Sequence, residues 1–226
     1  MKLKLKSTNQ LTDGVIEFTF EPDNSVVWTA GQFIHYTLDL ENNDERGNER
    51  WFTISSPPYS EHVQITTKFF GNKSSEFKKK LTKLLPGDSI KIDKPEGDFI
   101  IKDTNANYVF IAGGIGITPF HSILHQLDHE GINLKAILLY GNNNSEIIFE
   151  EELERINKNM SNLKINYIIE PERITEDTIK NASANLSDPF YYVSGPERMV
   201  EGIKEVLLKQ GINENKIVAD YFPGYE

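Results

Sequence analysis

The sequence predicts two domains: an N-terminal six-stranded antiparallel β-barrel over residues 1–103 and a C-terminal α/β domain with a parallel sheet over 104–226. Three observations predict this. Short strand-like runs alternate with turn formers up to about residue 100. After Asn105 each apolar run is followed instead by a helical segment. The change of rhythm falls between Lys102 and Tyr108 and carries no repeat or low-complexity tract.

The barrel strands are the runs KLKLKST, VIEFTF, FIHYTLDL, RWFTIS, VQITTKFF and SIKIDKP. Their connectors, Glu21-Pro22-Asp23-Asn24, Glu41 to Asn48, Pro57-Pro58 and Pro86-Gly87-Asp88, are rich in residues that turn a chain. One helix is expected among them, from Ser74 to Leu85, where Phe77, Leu81, Leu84 and Leu85 make a single apolar stripe. In the second half YVFIA precedes a helix from about Pro119 to His129, closed by Gly131. KAILLYG precedes FEEELERINKNM, KINYIIE precedes TEDTIKNAS, and FYYVSG precedes MVEGIKEVLLKQG. Such alternation is how a parallel sheet with covering helices is written.

Bulk properties narrow the function. The 226 residues are 38% hydrophobic and 26% charged, enough to bury a real core. No apolar run approaches a membrane span. The start, MKLKLK, reads as a strand with one wet face and not as a signal peptide, so a cytoplasmic chain is expected. There is no cysteine, which excludes disulfides, thiol redox chemistry and a cysteine-ligated iron–sulfur cluster. The net charge of −10 argues against nucleic acid as the main partner.

Two segments carry chemistry. Ala112-Gly113-Gly114-Ile115-Gly116-Ile117-Thr118-Pro119 follows an apolar strand and opens a helix. Glycines let the backbone approach a pyrophosphate, Thr118 is placed to cap the helix, and Pro119 sits at the first helical position. The helix N-terminus offers N–H groups and partial positive charge to an anion. Proline at 119 replaces the third glycine of the usual dinucleotide fingerprint. The other segment is Arg50-Trp51-Phe52-Thr53-Ile54-Ser55-Ser56 at a strand end. Arg50 and Phe52 face the same side there; a guanidinium can clamp a pyrophosphate and an aromatic ring can stack on a flat heterocycle.

In register with these stand Gly71-Asn72-Lys73-Ser74 and Ser194-Gly195-Pro196-Glu197-Arg198-Met199, together with Leu84-Leu85-Pro86-Gly87-Asp88 and Tyr140-Gly141-Asn142. The set resembles the ferredoxin–NADP reductase family over most of the chain. The resemblance implies an FAD-binding barrel and an NAD(P)-binding α/β domain, with the reaction in the cleft between them. It implies that Arg50 pairs with the FAD pyrophosphate, that Phe52 stacks on the isoalloxazine where relatives more often have Tyr, and that the Thr53 hydroxyl sits near flavin N5. Gly71 to Ser75, with the hydroxyl of Ser74 or Ser75, would hold the second face of the pyrophosphate; Ser74 as a helix N-cap is the structural alternative. The strand Val63 to Lys68, including Ile65 and Thr67, resembles the one that edges the flavin. On the nicotinamide side the resemblance implies Gly114, Gly116, Thr118, Pro119, Gly195 and Pro196, with Ser194 where many relatives have Cys. Asp220 and Phe222 match the carboxylate and the flavin-shielding ring near the C-terminus, with Tyr221 or Tyr225 as the alternative ring.

The expected activity is hydride transfer from NADH or NADPH to FAD and electron delivery to a separate ferredoxin- or flavodoxin-like carrier; the protein's task is positioning. A free-flavin reductase and a non-catalytic flavin-binding relay subunit are the alternatives. Asn142-Asn143-Asn144-Ser145, at the place where a 2′-phosphate would want a cation, leans towards NADH, with Arg173 as a distant cation able to reverse that. Lys78-Lys79-Lys80 and Lys83 are either a solvated face or a dock for an acidic carrier. His121, His125 and His129 recur every four residues, yet no metal is expected, because one straight helix offers poor ligand geometry and no partner carboxylate is evident.

Overall fold

A computed structural model describes residues 1–41, 44–45 and 47–222, with the side chain of Phe222 outside the description. The chain divides into two compact units, Met1–Ile100 and Ile101–Glu226.

The first unit is a six-stranded antiparallel sheet built from β1 (Lys2–Thr12), β2 (Val15–Pro22), β3 (Phe33–Thr37), β4 (Glu49–Thr53), β5 (Val63–Lys68) and β6 (Ser89–Ile92). Its order is β4-β3-β6-β1-β2-β5. In β1 the lysines at 2, 4 and 6 are exposed while Leu3 and Leu5 are buried, the period-2 pattern of a half-wet strand. The inward sides of all six strands meet in one core that includes Phe18, Phe20, Ile34, Tyr36, Val63, Ile65 and Ile90. The edge strands β4 and β5 approach where the chain leaves β4: the Ser55 N–H donates to the Gln64 carbonyl at 2.9 Å, and the Ser55 and Thr66 hydroxyls lie 3.0 Å apart. Among the described residues no ladder joins β4 and β5, so the two edge strands touch only at this end.

The helix of this unit is shorter than the sequence predicts. A 3-10 turn at Gly71–Lys73 leads into α1 (Glu76–Leu81). Phe77 and Leu81 are buried, but Leu85 is exposed, so the apolar stripe ends with the helix. The cap is Ser75, whose hydroxyl accepts from the Lys78 N–H. Ser74 serves the turn before it, accepting from the Phe70 N–H at 2.8 Å.

The second unit holds a five-stranded, wholly parallel sheet of β7 (Asn107–Gly113), β8 (Lys135–Asn142), β9 (Leu163–Ile169), β10 (Phe190–Pro196) and β11 (Ile217–Phe222), ordered β11-β10-β7-β8-β9. Its helices are α2 (Thr118–His129), α3 (Glu150–Asn159), α4 (Glu176–Ser183) and α5 (Glu197–Lys209). Strand β7 is buried from Tyr108 to Gly113, as expected of a central parallel strand covered on both faces. One face packs Val109, Ile111, Leu139 and Val193 on α5 residues Val200, Ile203 and Leu207. The opposite face is aromatic, with Phe110 against Phe120 at 5.0 Å and Tyr108 against Tyr192 at 5.6 Å. Thr175 and Thr178 form a capping box at the start of α4, and Gly131 (φ 69°) ends α2.

Chain order reverses between β7 and β10, which are neighbours although three helices and two strands separate them in sequence. Ligands of open α/β sheets bind at the carboxyl ends of strands at such a switch point.

Candidate functional site

At the carboxyl end of β7 the chain turns through Gly113–Ile117 into α2. Gly114 has φ 51°, a conformation that favours glycine, and a side chain there would meet nothing within 4 Å. The apex of the turn is therefore open. Its base is closed. A Cβ on Gly116 would stand 2.6 Å from the Gly195 Cα and 2.5 Å from the Ser194 carbonyl carbon. A Cβ on Gly113 would strike the Met199 thioether. Glycines thus seat the turn after β7 directly on the end of β10, which brings Gly114, Gly116, Ser194, Gly195 and Pro196 together. Thr118 corrects the expectation of a cap. It is the first residue of α2, buried, with its hydroxyl donating to the Ile115 carbonyl at 3.1 Å, so Pro119 stands second in the helix where the sequence predicts it first.

Ser194 is 0% exposed, and its hydroxyl has no hydrogen-bond partner. In the sheet it stands between Ala112 of β7 and Asp220 of β11. Parallel neighbours in register share a face, so the Asp220 carboxyl rises on the side of Ser194. Burial pushes that carboxyl up to about 6, against a smaller opposing hydrogen bond from the Tyr221 backbone. A raised carboxyl holds its proton better in the folded chain than in the unfolded one. Its contribution to stability is full below the unfolded value of 3.8 and is lost as pH rises through about 6. Asp220→Asn is therefore expected to flatten the fall in melting temperature between about pH 4 and about pH 6.5. An equal fall in variant and parent would remove Asp220 as its source. The backbone of Phe222 pairs with Pro196; its ring, like Tyr225, lies outside the described residues. Tyr221 is exposed.

In the first unit, Thr53 ends β4, is 4% exposed, and its hydroxyl has no partner. Buried hydroxyls are nearly always satisfied, so two orphans at strand ends, Thr53 and Ser194, are where missing polar partners fit. Thr53 continues into Ser55, which meets β5 beside Ile65 and Thr67. Ile65 itself belongs to the core and Thr67 is fully buried, so neither side chain is exposed.

Phe52 differs from expectation. It is 7% exposed, with its ring 5.7 Å from Tyr36 and 5.9 Å from Phe77. The ring fills the barrel core and does not present a face for stacking. The exposed aromatic of the motif is Trp51, at 59%, its ring tilted against His35 at 4.6 Å.

Arg50 reaches α1, with its guanidinium 5.5 Å over the Phe77 ring. It donates to the Gly47 and Glu49 carbonyls and lies 3.5 Å from Asp44. The other oxygen of Asp44 accepts the Glu76 N–H at 2.8 Å, at the start of α1. A carboxylate of this chain thus stands where the cation and the helix start converge, in the position expected for a phosphate. The sequence did not single out Asp44, because an acidic residue in a turn-rich loop has no distinguishing spacing. Gly71 (φ 55°) is exposed, and Ser74 and Ser75 are buried beside it.

Comparison with known proteins agrees with this arrangement. Residues 110–205 match the oxidoreductase NAD-binding domain family. A Na(+)-translocating NADH-quinone reductase component from Yersinia enterocolitica is 29% identical over 158 residues, taking in 62% of this chain and 39% of that protein. The chain thus spans well under half the length of such curated relatives. Among solved structures, the flavohem-like FAD/NAD-binding domain of nitric oxide dioxygenase from Vibrio cholerae superposes with TM-score 0.82 at 21% identity, covering 98% of each chain. A ferredoxin–NADP+ reductase from Neisseria gonorrhoeae with bound FAD and NADP gives TM-score 0.80 at 18% identity, again covering 98% of both. Among the described residues, no helix is long and apolar enough to cross a membrane. Residues 110–205 thus carry the nucleotide turn inside a matched oxidoreductase NAD-binding domain, and the chain as a whole shares the fold of these FAD- and NAD(P)-binding reductases.

Proposed function

We propose that this chain takes hydride from NADH or NADPH onto FAD and passes the electrons to a separate ferredoxin- or flavodoxin-like carrier. The observation that carries this is the glycine turn seated on the end of β10 at the switch point, open at Gly114 and closed at Gly116. The turn and the start of α2 would receive the nucleotide pyrophosphate. Ser194, Gly195 and Pro196 would bound the nicotinamide, with Asp220 in the adjacent strand. Arg50, the Gly71–Ser75 segment and the Thr53 hydroxyl would hold FAD, alongside β5. FAD supplies the hydride-accepting ring; the chain's groups orient it and exclude water. The NADH named in the quinone-reductase relatives and the uncharged Asn142–Ser145 stretch favour NADH.

The test is anaerobic mixing of the FAD-loaded protein with either nucleotide while absorbance near 450 nm is followed. Bleaching is expected, faster with NADH. Flavin that stays oxidised with both nucleotides would leave a relay role and sink the enzyme reading.

Two observations favour a second reading. Asp44 beside Arg50 and the burial of Phe52 both weaken flavin retention. A free-flavin reductase, using flavin as a passing substrate, fits those features. Protein that purifies colourless yet turns over with added flavin identifies it.

A further inference from the structure

We propose that His121, His125 and Glu152 form a binding site for a single zinc ion between α2 and α3. The expectation of no metal rested on the lack of a carboxylate, and the fold supplies one. His121 and His125 stand at i and i+4 on α2, which places both rings on one face. Glu152 reaches them from the first turn of α3. The Nε2 atoms of His121 and His125 lie 3.1 and 2.9 Å from the same oxygen, Glu152 Oε2. One ligand atom from each of the three residues falls within 4.8 Å of the other two. Zinc with bonds of about 2.1 Å sets its ligands about 3.4 Å apart, so the cluster already has the scale of a coordination shell.

Ligand chemistry narrows the ion. Two imidazoles disfavour magnesium and calcium, which want oxygen, and suit zinc-like borderline cations. Two histidines one helical turn apart with a third ligand from elsewhere is a recurrent zinc arrangement that leaves a fourth position for water. Both rings are buried and the Glu152 side chain is 49% exposed, so the cluster meets solvent on the Glu152 side. The rings are held in place beforehand, with His121 stacked on Phe149 at 3.8 Å. His129 is exposed and stands outside the cluster.

The competing account is a carboxylate that merely accepts from two imidazole N–H groups to pin the helices. Yet α2 and α3 are also joined one turn away, where Asp128 meets Arg155 at 2.9 Å and Asn159 at 3.0 Å. That second clasp ties the helices without the histidine cluster, and variants of Glu152 are expected to fold.

The experiment is equilibrium dialysis of the full, metal-stripped chain against zinc chloride, followed by metal analysis and thermal melting. We expect about one zinc per chain at about 100 μM free zinc and a higher melting temperature. Glu152→Gln, which keeps shape and removes the charged ligand, is expected to weaken binding at least about tenfold, while His129→Ala leaves it unchanged. Less than about half an equivalent bound by the parent chain, or a smaller loss in Glu152→Gln, overturns the site.

Discussion

Gly116→Ala is expected to lose about 3 kcal/mol of stability and about a hundredfold in the rate of flavin reduction by NAD(P)H. The added Cβ has nowhere to go. It would stand 2.6 Å from the Gly195 Cα and closer to the Ser194 carbonyl, and both are backbone of a central strand. Side-chain tips could swing away; β10 is clamped between β7 and β11 and cannot. The turn must then lift off β10, carrying the start of α2 and the open apex with it. Gly114→Ala is the contrast. Space is open around it, so the cost is its left-handed backbone, about 1 kcal/mol. Thermal melts and single-turnover reduction of both variants decide the matter. Equal losses at the two positions would mean that seating against β10 is not what Gly116 provides.

The second large effect concerns flavin retention. Arg50→Ala is expected to weaken FAD binding by about ten- to a hundredfold, the worth of a charge-assisted hydrogen bond to phosphate. Asp44→Asn should act in the opposite direction. Asp44 sits 3.5 Å from Arg50 and accepts the Glu76 N–H, so an incoming phosphate has to displace a like charge from both. Asparagine keeps an oxygen for the Glu76 N–H and removes the negative charge, so tighter binding by a few-fold follows at low salt. Fluorescence titration of the deflavinated protein reads both constants. Unchanged affinity in Arg50→Ala takes that residue out of the flavin site. Weaker binding in Asp44→Asn would show that Asp44 supports the cradle and does not compete for it.

Strands and helices of this protein were largely legible because period-2 and period-3.6 patterns are local. The alternation of Lys2 to Lys6 with Leu3 and Leu5 marks a half-wet strand whatever it pairs with. The apolar run from Tyr108 to Ala112 marks a strand buried on both faces. The glycines at 113, 114 and 116 were legible as a tight turn for the same reason. Helix α1 was overextended, since Leu84 and Leu85 keep the helical spacing although the chain has already left the helix.

By itself, then, the sequence determined the two-part architecture, the order of its helices and of every strand but β11, and a tight glycine turn after β7. Only the tertiary structure decided which groups those elements bring into contact. It turned Phe52 into the core beside Tyr36 and Phe77, where burying a ring outweighs keeping it available for stacking. It set Asp44 against Arg50, left the Thr53 and Ser194 hydroxyls without partners, and carried Glu152 across to His121 and His125. Periodicity reports which face of an element is wet, whereas a contact between residues far apart in the chain depends on how two elements pack, and no local pattern records that.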